Sequence, residues 1–322
     1  MLYVGIDLGG TNVAVGIVDE DGHVLHRLSV PTGVHSSDEG LMDHLASTAR
    51  LLLERSGVSR EEIAWVGIGS PGSVDPERGV VLSACNLNLN DTPLGEGLSH
   101  RLELPVYVEN DANCAVWAEA TVGAAAGMRD VIMVTLGTGV GGGIVIGGRL
   151  YSGFNHFGGE FGHAVICADG EPCACGDRGC FEAYSSATAL IRDTRRAAEA
   201  DPESLIHRLA REEGRISGRT AFCAARLGDP SAEAVVRRYV HYLAVGVGAL
   251  IRIFQPEALV IGGGVACEGE GLFEPLRREV ADNIYRDGIA EDKRTKILPA
   301  RLGNDAGIVG AALLGLCRKN GK

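Results

Sequence analysis

The feature that most limits the fold of this chain is a strand–turn–strand pattern that occurs twice. At the N-terminus, LYVGIDL and VAVGIV are rich in the residues that favour strands, and a Gly-rich turn joins them. Residues 131–153 repeat this order: Thr135 corresponds to Asp7 and Val145 to Ile17, so both pairs are 128 residues apart. A repeated supersecondary unit predicts a duplicated βββ-α core, and we expect its two Gly turns to face each other.

Predicted helices and strands alternate over the rest of the chain, which indicates an α/β protein. Helices are identified by apolar residues at a spacing of three and four, and strands by short β-branched runs. The elements predicted in this way include residues 37–56, 63–70, 112–127, 231–254, 258–265, 296–299 and 306–317.

The length of 322 residues is sufficient for two domains of ordinary size. We expect a smaller N-terminal α/β domain over residues 1–120 and a larger α/β domain over residues 121–302. A C-terminal helix, residues 303–322, is expected to return to the N-terminal domain.

The net charge of −12 argues against a nucleic-acid-binding surface, because such a surface needs clustered Lys and Arg. Met1 leads directly into the first predicted strand, and we identify no signal peptide and no long apolar span. Nine cysteines without a secretory signal indicate a reducing compartment. We therefore expect a cytoplasmic protein without nucleic-acid or membrane partners, which binds neutral molecules or anions carried with their own metal.

Three cysteines and a histidine have the composition of a structural zinc site. Cys173, Cys175 and Cys180 follow the spacing C-x-C-x4-C, and His163 lies ten residues before the first of them. Three thiolates and one imidazole form a Cys3His set, which suits tetrahedral zinc with no open position. The alternative is a group of buried or disulfide-bonded cysteines, but three clustered cysteines cannot all pair with each other.

The segment GTGVGG, residues 137–142, matches the dinucleotide fingerprint G-x-G-x-x-G, and we reject that match. The fingerprint requires a helix directly after the glycines, whereas here the strand-like IVIGG follows. Two Gly-rich hairpins can instead line an anion-binding concavity with their backbone N–H groups. One such hairpin alone is more simply explained as a turn. Two related hairpins and the glycines at residues 262–264 favour a nucleotide cleft between two domains.

The polar triplet END ends an apolar strand at Asn110 and Asp111. In open α/β sheets, the carboxyl ends of the strands face the ligand crevice, so both side chains are candidates for substrate contact. The alternative is a helix N-cap, for which Asn and Asp are common.

The sequence resembles the ROK sugar kinases of the actin-like ATPase superfamily over essentially its whole length. That resemblance implies a two-domain, ribonuclease H-like fold with a cleft between the domains. Asn12 departs from the pattern, since many members have Lys there, so phosphate charge must be met by backbone N–H groups and magnesium. The motifs that carry the resemblance, in order, are DLGGTN, SPG, END, TLGTGVGGG, GEFGH, CACGDRGCFE and LVIGGGV.

The resemblance, most like that to bacterial glucokinases of this family, implies ATP-dependent transfer of a phosphoryl group to the 6-hydroxyl of glucose. Asp111 is implied as the general base, with Mg²⁺ and a structural Zn²⁺ as the metal ions. The implied sugar-binding residues are Gly72, Asn86, Asn110, Glu160, His163 and Glu182. The implied residues for ATP and its magnesium are Asp7, Gly9, Gly10, Thr11, Asn12, Thr138, Gly139, Gly263 and Gly264.

Several alternatives remain open at this stage. A sugar sensor that binds without phosphorylating is the competing class, although the family's repressors carry an N-terminal helix-turn-helix, for which this chain has no room. Among kinases, N-acetylmannosamine, fructose or allose is the alternative substrate, and polyphosphate is an alternative donor. We expect a homo-oligomer, either a dimer or a tetramer.

Overall fold

The computed structural model describes residues 1–35, 37–285 and 288–319. The chain divides into two compact units. Unit 1 contains residues 1–131, residues 143–159 and the described residues from Arg301 onward, and unit 2 contains residues 132–142 and 160–300. The domain boundaries expected after residues 120 and 302 stay a prediction, and residues 320–322 of the expected C-terminal helix lie outside the described part.

Groups of strands are separated by helices along the described chain, and five helices follow one another between β11 and β12. Up to residue 121 the elements are β1 (Leu2–Leu8), β2 (Asn12–Val18), β3 (Val24–Pro31), α1 (Asp38–Ser56), β4 (Ile63–Ser70), β5 (Ser73–Asp75), β6 (Val80–Ala84), β7 (Leu89–Thr92), α2 (Leu94–Leu102), β8 (Val106–Asn110) and α3 (Asp111–Thr121). They continue with β9 (Val131–Leu136), β10 (Val140–Ile146), β11 (Arg149–Leu150), α4 (Glu182–Ser185), α5 (Ala187–Ala200), α6 (Leu205–Glu213), α7 (Thr220–Arg226), α8 (Pro230–Phe254), β12 (Ala258–Gly262), α9 (Glu270–Ile284), β13 (Lys296–Pro299), α10 (Ala306–Ala312) and α11 (Leu314–Lys319).

The two five-stranded sheets have the same strand order. One runs β3-β2-β1-β4-β8 and the other β11-β10-β9-β12-β13. Moving the bounds of β2 by 128 residues gives those of β10, since Asn12 corresponds to Val140 and Val18 to Ile146. The predicted α/β class and its duplicated core are therefore confirmed.

Strand β1 packs differently on its two faces. Val4, Ile6 and Leu8 are buried in the apolar core that the first sheet forms with α1 and α2. Gly5 points to the other face, where a Cβ atom would lie 2.0 Å from the backbone oxygen of Ile308 in α10. Asp7 is two residues further along the strand and shares the face of Gly5. The missing side chain of Gly5 thus lets α10 lie directly on the strand that carries Asp7.

Several predicted bounds were wrong by a few residues. The helix expected over residues 112–127 ends at Thr121, because Glu119 accepts a hydrogen bond from the N–H of Ala124 at 2.7 Å and turns the chain. By contrast, residues 258–265 form the expected strand running into a Gly turn: the strand ends at Gly262, and Gly263 has a φ of 87°. The final helix expected over 306–317 is two helices, α10 and α11.

Helix α8 is long and apolar enough to cross a membrane, by its length and composition alone. Of its most apolar 18-residue window, 56% is buried inside the protein, as in the core helix of a globular domain.

Candidate active site

The END motif forms the junction between β8 and α3. Asn110 is the N-cap of α3: its side-chain oxygen accepts from the N–H of Asn113 at 3.1 Å, and its Nδ2 donates to the carbonyl of Gly72 at 2.9 Å. The N-cap alternative therefore applies to Asn110, and Asp111 is the first residue of the helix. Two residues expected to contact sugar, Gly72 and Asn110, lie in direct contact.

Glu109 supports this junction, a role that the sequence analysis did not assign. Its carboxylate is almost fully buried and accepts from the N–H of Asn110 at 2.8 Å and from Nδ2 of Asn113 at 3.0 Å. The two bonds fix the backbone from which the Asp111 side chain leaves. The sequence signal for this role was a charged residue at the end of an otherwise apolar strand.

Asp7 lies in the same region of unit 1, at the end of β1. Asp7 is opposite Gly69 in the parallel register of β1 and β4, and Gly69 is opposite Glu109 in that of β4 and β8. Burial, and in second place the negative charge of Asp111, raises the pKa of Asp7 from 3.8 to about 6. A buried carboxyl group whose ionisation is opposed by a second acidic residue fits a site for a cation such as Mg²⁺.

We expect Asp7→Asn to stabilise the protein at pH 8 in magnesium-free buffer, relative to the parent. The folded-state pKa is raised, so the folded protein binds more protons than the unfolded chain between pH 4 and 6, and its stability falls as the pH rises through that window. The difference in the free energy of unfolding corresponds to about 3 kcal/mol at pH 8, and it should vanish below about pH 3. Urea unfolding at both pH values measures it; an equal effect of the substitution at both would contradict the prediction.

The first hairpin, residues 7–12, is a tight turn that Thr32 holds in place by hydrogen bonds. The N–H of Gly9 donates to the carbonyl of Asn12 at 3.0 Å. Thr32 donates its hydroxyl to the carbonyl of Gly9 at 2.7 Å and its N–H to that of Thr11 at 2.9 Å. A Cβ on Gly10 would lie 3.2 Å from Nδ2 of Asn86, so the turn and the Asn-rich loop are adjacent in unit 1.

The second hairpin, residues 135–140 of unit 2, is anchored by the start of α5. The carbonyl of Gly137 accepts from the N–H of Ala187 at 2.8 Å, and that of Thr138 accepts from the hydroxyl of Thr188 at 2.7 Å. Both contacts are made to backbone carbonyl oxygens of the hairpin, as are the two contacts that Thr32 makes with the first hairpin. Gly137 corresponds to Gly9 in the sequence repeat, whereas Thr138 corresponds to Gly10 rather than to Thr11, so the two turns share one of their two anchored positions.

Gly263 and Gly264 follow β12 next to this second hairpin. A Cβ on Gly263 would lie 2.5 Å from the backbone oxygen of Leu136, the last residue of β9, while Gly264 has open space at that position. A side chain at Gly263 would therefore displace the strand that carries the hairpin.

The Cys3His loop, residues 163–180, brings its four predicted ligands together. The ligand atoms of His163, Cys173, Cys175 and Cys180 all lie within 4.8 Å of one another. The Sγ atoms of Cys175 and Cys180 are 3.7 Å apart, and so are Sγ of Cys173 and Nδ1 of His163. Tetrahedral zinc with Zn–S bonds of about 2.3 Å places its sulfur ligands about 3.8 Å apart. The donor set and its spacing therefore fit zinc.

Glu182 connects the Cys3His loop to the second hairpin. Its Oε2 accepts from the N–H of Val140 at 3.0 Å, and its Oε1 lies 3.7 Å from Sγ of Cys173. A Cβ on Gly139 would lie only 2.1 Å from Oε2, so a side chain there would displace the Glu182 carboxylate. Glu160 and His163 are exposed at the start of the loop. The sequence indicated that Glu182 lies near the cysteines but not that it contacts the hairpin.

The structure thus groups the predicted residues within each unit. Those of unit 1 are Asp7, Gly9, Gly10, Thr11, Asn12, Gly72, Asn86, Asn110 and Asp111. Those of unit 2 are Thr138, Gly139, Glu160, His163, Cys173, Cys175, Cys180, Glu182, Gly263 and Gly264.

Comparison with known proteins identifies, over nearly the whole chain, the family that the sequence motifs resemble. The model of the ROK family matches residues 3–317. The chain belongs to the ROK family. This ROK chain is 41% identical to a glucokinase of Thermotoga maritima over 310 residues, which is 96% of the chain and 95% of that protein. It is 40% identical to a glucokinase of Streptomyces coelicolor over 318 residues, 97% of the chain and 96% of that protein.

A solved structure agrees with these relatives. The crystal structure of a ROK family glucokinase from Streptomyces griseus, in complex with glucose and AMPPNP, matches with a TM-score of 0.79 and 39% identity. The match covers 99% of this ROK chain and 100% of that one. The actin-like ATPase fold implied by the sequence is therefore confirmed.

Proposed function

We propose that the chain is a glucokinase that transfers the γ-phosphoryl group of ATP to the 6-hydroxyl of glucose. The observation that carries this proposal is the full-length similarity to glucokinases, one of them solved with glucose and an ATP analogue. A coupled assay across several hexoses, with ATP and polyphosphate as donors, tests it. Absence of glucose phosphorylation with either donor would contradict the proposal.

Asp111 is the proposed general base. Phosphoryl transfer needs positioning, charge neutralisation and a base near the attacking hydroxyl, with little covalent work from the protein. Glu109 and Asn110 fix the start of α3, so the Asp111 carboxylate leaves a rigid junction. Its role is to accept the proton of the sugar hydroxyl as that oxygen attacks phosphorus.

Asp7 is the proposed magnesium-binding residue, and the two hairpins are the proposed phosphate-binding turns. Bound Mg²⁺ neutralises charge on the phosphates and stabilises the ionised form of Asp7. Asn12 supplies no cation, so the backbone N–H groups of both hairpins carry the rest of phosphate recognition. Gly263 and Gly264 are proposed to border the adenosine.

Glu160, His163 and Glu182 are the proposed sugar-binding residues of unit 2. Zinc held by the Cys3His loop would fix the orientation of His163 through its Nδ1, which leaves Nε2 to bind a sugar hydroxyl. Asn86 and Asn110 are their proposed counterparts in unit 1. The zinc is structural, because four protein ligands fill its coordination sphere.

The competing proposal of a non-catalytic sugar sensor is less well supported. A sensor has no need for a buried carboxyl group whose ionisation is opposed by a second acidic residue, which is the situation of Asp7 next to Asp111. Such a pair destabilises the folded protein and is kept where a metal or a reaction needs it.

We expect glucose to be preferred over mannose, fructose and N-acetylmannosamine by at least about tenfold in kcat/KM. A site that pairs each hydroxyl of one sugar leaves buried polar groups unpaired when an epimer binds. Initial rates with ATP across these four sugars measure the preference. A higher kcat/KM for N-acetylmannosamine would change the substrate and leave the kinase assignment intact.

We also propose that the enzyme acts in the cytoplasm as a homo-oligomer, either a dimer or a tetramer. Sedimentation analysis distinguishes these two states from a monomer.

A further inference from the structure

The loop formed by residues 151–159 of unit 1 has three exposed aromatic side chains. Tyr151 is 49% exposed, Phe154 98% and Phe157 54%. Apolar burial therefore contributes little to the conformation of this loop. Polar contacts must hold it in place.

Those polar contacts lie at the base of the loop and at His156. The N–H of Gly158 donates to the carbonyl of Ser152 at 2.7 Å and closes the base. His156 has a φ of 62°, and its Nδ1 lies 3.3 Å from the hydroxyl of Ser152. Its Nε2 lies 3.7 Å from Oδ1 of Asp75 on β5. This last pair connects the loop to a different element of unit 1.

Asp75 is well placed to hold the loop. Its side chain is 14% exposed and that of His156 is 23% exposed, so solvent screens the pair less than an ordinary surface contact. Strand β5 starts directly after Gly72, whose carbonyl accepts from Asn110. Asp75 thus belongs to the hairpin that borders the proposed sugar-binding residues of unit 1.

We propose that the His156–Asp75 pair positions the loop for sugar binding. The loop continues directly into Glu160, the first proposed sugar-binding residue of unit 2. When residues 151–159 are held in place, Glu160 has fewer conformations before sugar binds. Ordering Glu160 on binding therefore costs less entropy. The inference rests on the proposed function and adds His156 and Asp75 to it as positioning residues.

We expect His156→Asn and Asp75→Asn each to raise the KM for glucose by about three- to tenfold, with kcat changed less than twofold. Asn tolerates the left-handed backbone of residue 156 but is too short to reach Asp75. Asn at 75 retains Oδ1, which accepts from the N–H groups of Glu77 and Arg78 at 3.1 Å and also faces His156, so the turn is kept and only the negative charge of the pair is lost. Steady-state kinetics and melting temperatures measure the effects.

Arg78→Ala is the matched control. Arg78 pairs with the other oxygen of Asp75 at 3.9 Å, and its removal leaves the contact with His156 in place. Its KM should stay within twofold of the parent. The double variant of His156 and Asp75 should have the KM of the His156→Asn variant, because the charge of Asp75 acts on the loop only through His156. Additive effects, or an unchanged KM in both single variants, would overturn the proposal.

Cleavage by chymotrypsin at Phe154 gives a readout that does not depend on activity. Both single variants should be cut at least about threefold faster than the parent and the Arg78→Ala control, because the loop opens more often. Equal cleavage rates would show that the pair does not hold the loop. A parent without activity on any hexose would instead contradict the proposed function, while the cleavage rates would still test the pair.

Discussion

Asp111→Asn is expected to lower kcat for glucose phosphorylation at least about a hundredfold while leaving folding and glucose binding close to those of the parent. Loss of a general base typically costs a factor of about 10² to 10⁴, or about 3–5 kcal/mol in the activation barrier. Asn keeps the shape of the side chain and the oxygen that accepts from the N–H of Ala112 at 2.8 Å. It cannot take the proton of the sugar hydroxyl.

The same substitution should also change the ionisation of Asp7. The charge of Asp111 contributes to the raised pKa of Asp7, so Asp111→Asn should move that pKa back towards 3.8. The variant should therefore lose less stability than the parent as the pH rises from 4 to 6. Urea unfolding across this range measures the effect.

Asp43→Asn is a suitable control for the kinetics, because Asp43 is an exposed carboxylate of α1 that pairs with Arg101 at 2.7 Å. Its kcat should stay within twofold of the parent. Isothermal calorimetry with glucose establishes that Asp111→Asn still binds sugar. The proposed mechanism is wrong if this variant keeps kcat within a few-fold of the parent.

The sequence was sufficient where the information is local or repeated. The offset of 128 residues, found in the sequence, also relates the observed bounds of β2 and β10, because a similar pattern of glycines and β-branched residues occurs in both strands. The spacing of Cys173, Cys175 and Cys180 predicted a cluster for a similar reason, since short intervals with few conformations keep the ligands together.

The sequence was insufficient where one residue acts at a long distance along the chain. Glu119 is fully buried on α3, and its Oε1 accepts from the N–H groups of Arg301 and Leu302, both at 2.8 Å. A single Glu in an Ala-rich helix looks like a solvent-facing residue when only its neighbours are known. The contact of Glu182 with Val140, 42 residues away, is of the same kind. Only the folded chain identifies such partners.

The short strands β5 and β6 were also missed. β5 has only three residues, and β6 has five. Strands of this length carry too few alternating positions to be separated from a loop, and the hairpin depends on pairing between residues such as Val74 and Val81. The hairpin matters because β5 begins directly after Gly72, which contacts Asn110, and ends at Asp75, which contacts His156.

The zinc site gives the other large expected effect. Cys175→Ala should reduce the zinc content from one per chain to well below one half, because it removes one of four ligands. The Cys175 side chain is exposed, so the substitution leaves no cavity in a core. Elemental analysis of freshly purified protein measures the metal. Cys267→Ser is the matched control, since Cys267 is also exposed and lies outside the Cys3His loop.

Loss of the metal should also affect both substrates. His163 would lose the ligand that orients it, and we expect sugar affinity to fall at least about tenfold. Glu182 touches both Cys173 and the N–H of Val140, so disorder in the Cys3His loop should reach the second hairpin and weaken ATP binding as well. Calorimetry with glucose and with a non-hydrolysable ATP analogue separates the two effects. Full zinc content together with an unchanged glucose KM would rule out the proposed role of the metal. A loss of sugar affinity alone would limit the effect of the metal to His163 and exclude an effect on ATP binding through Glu182.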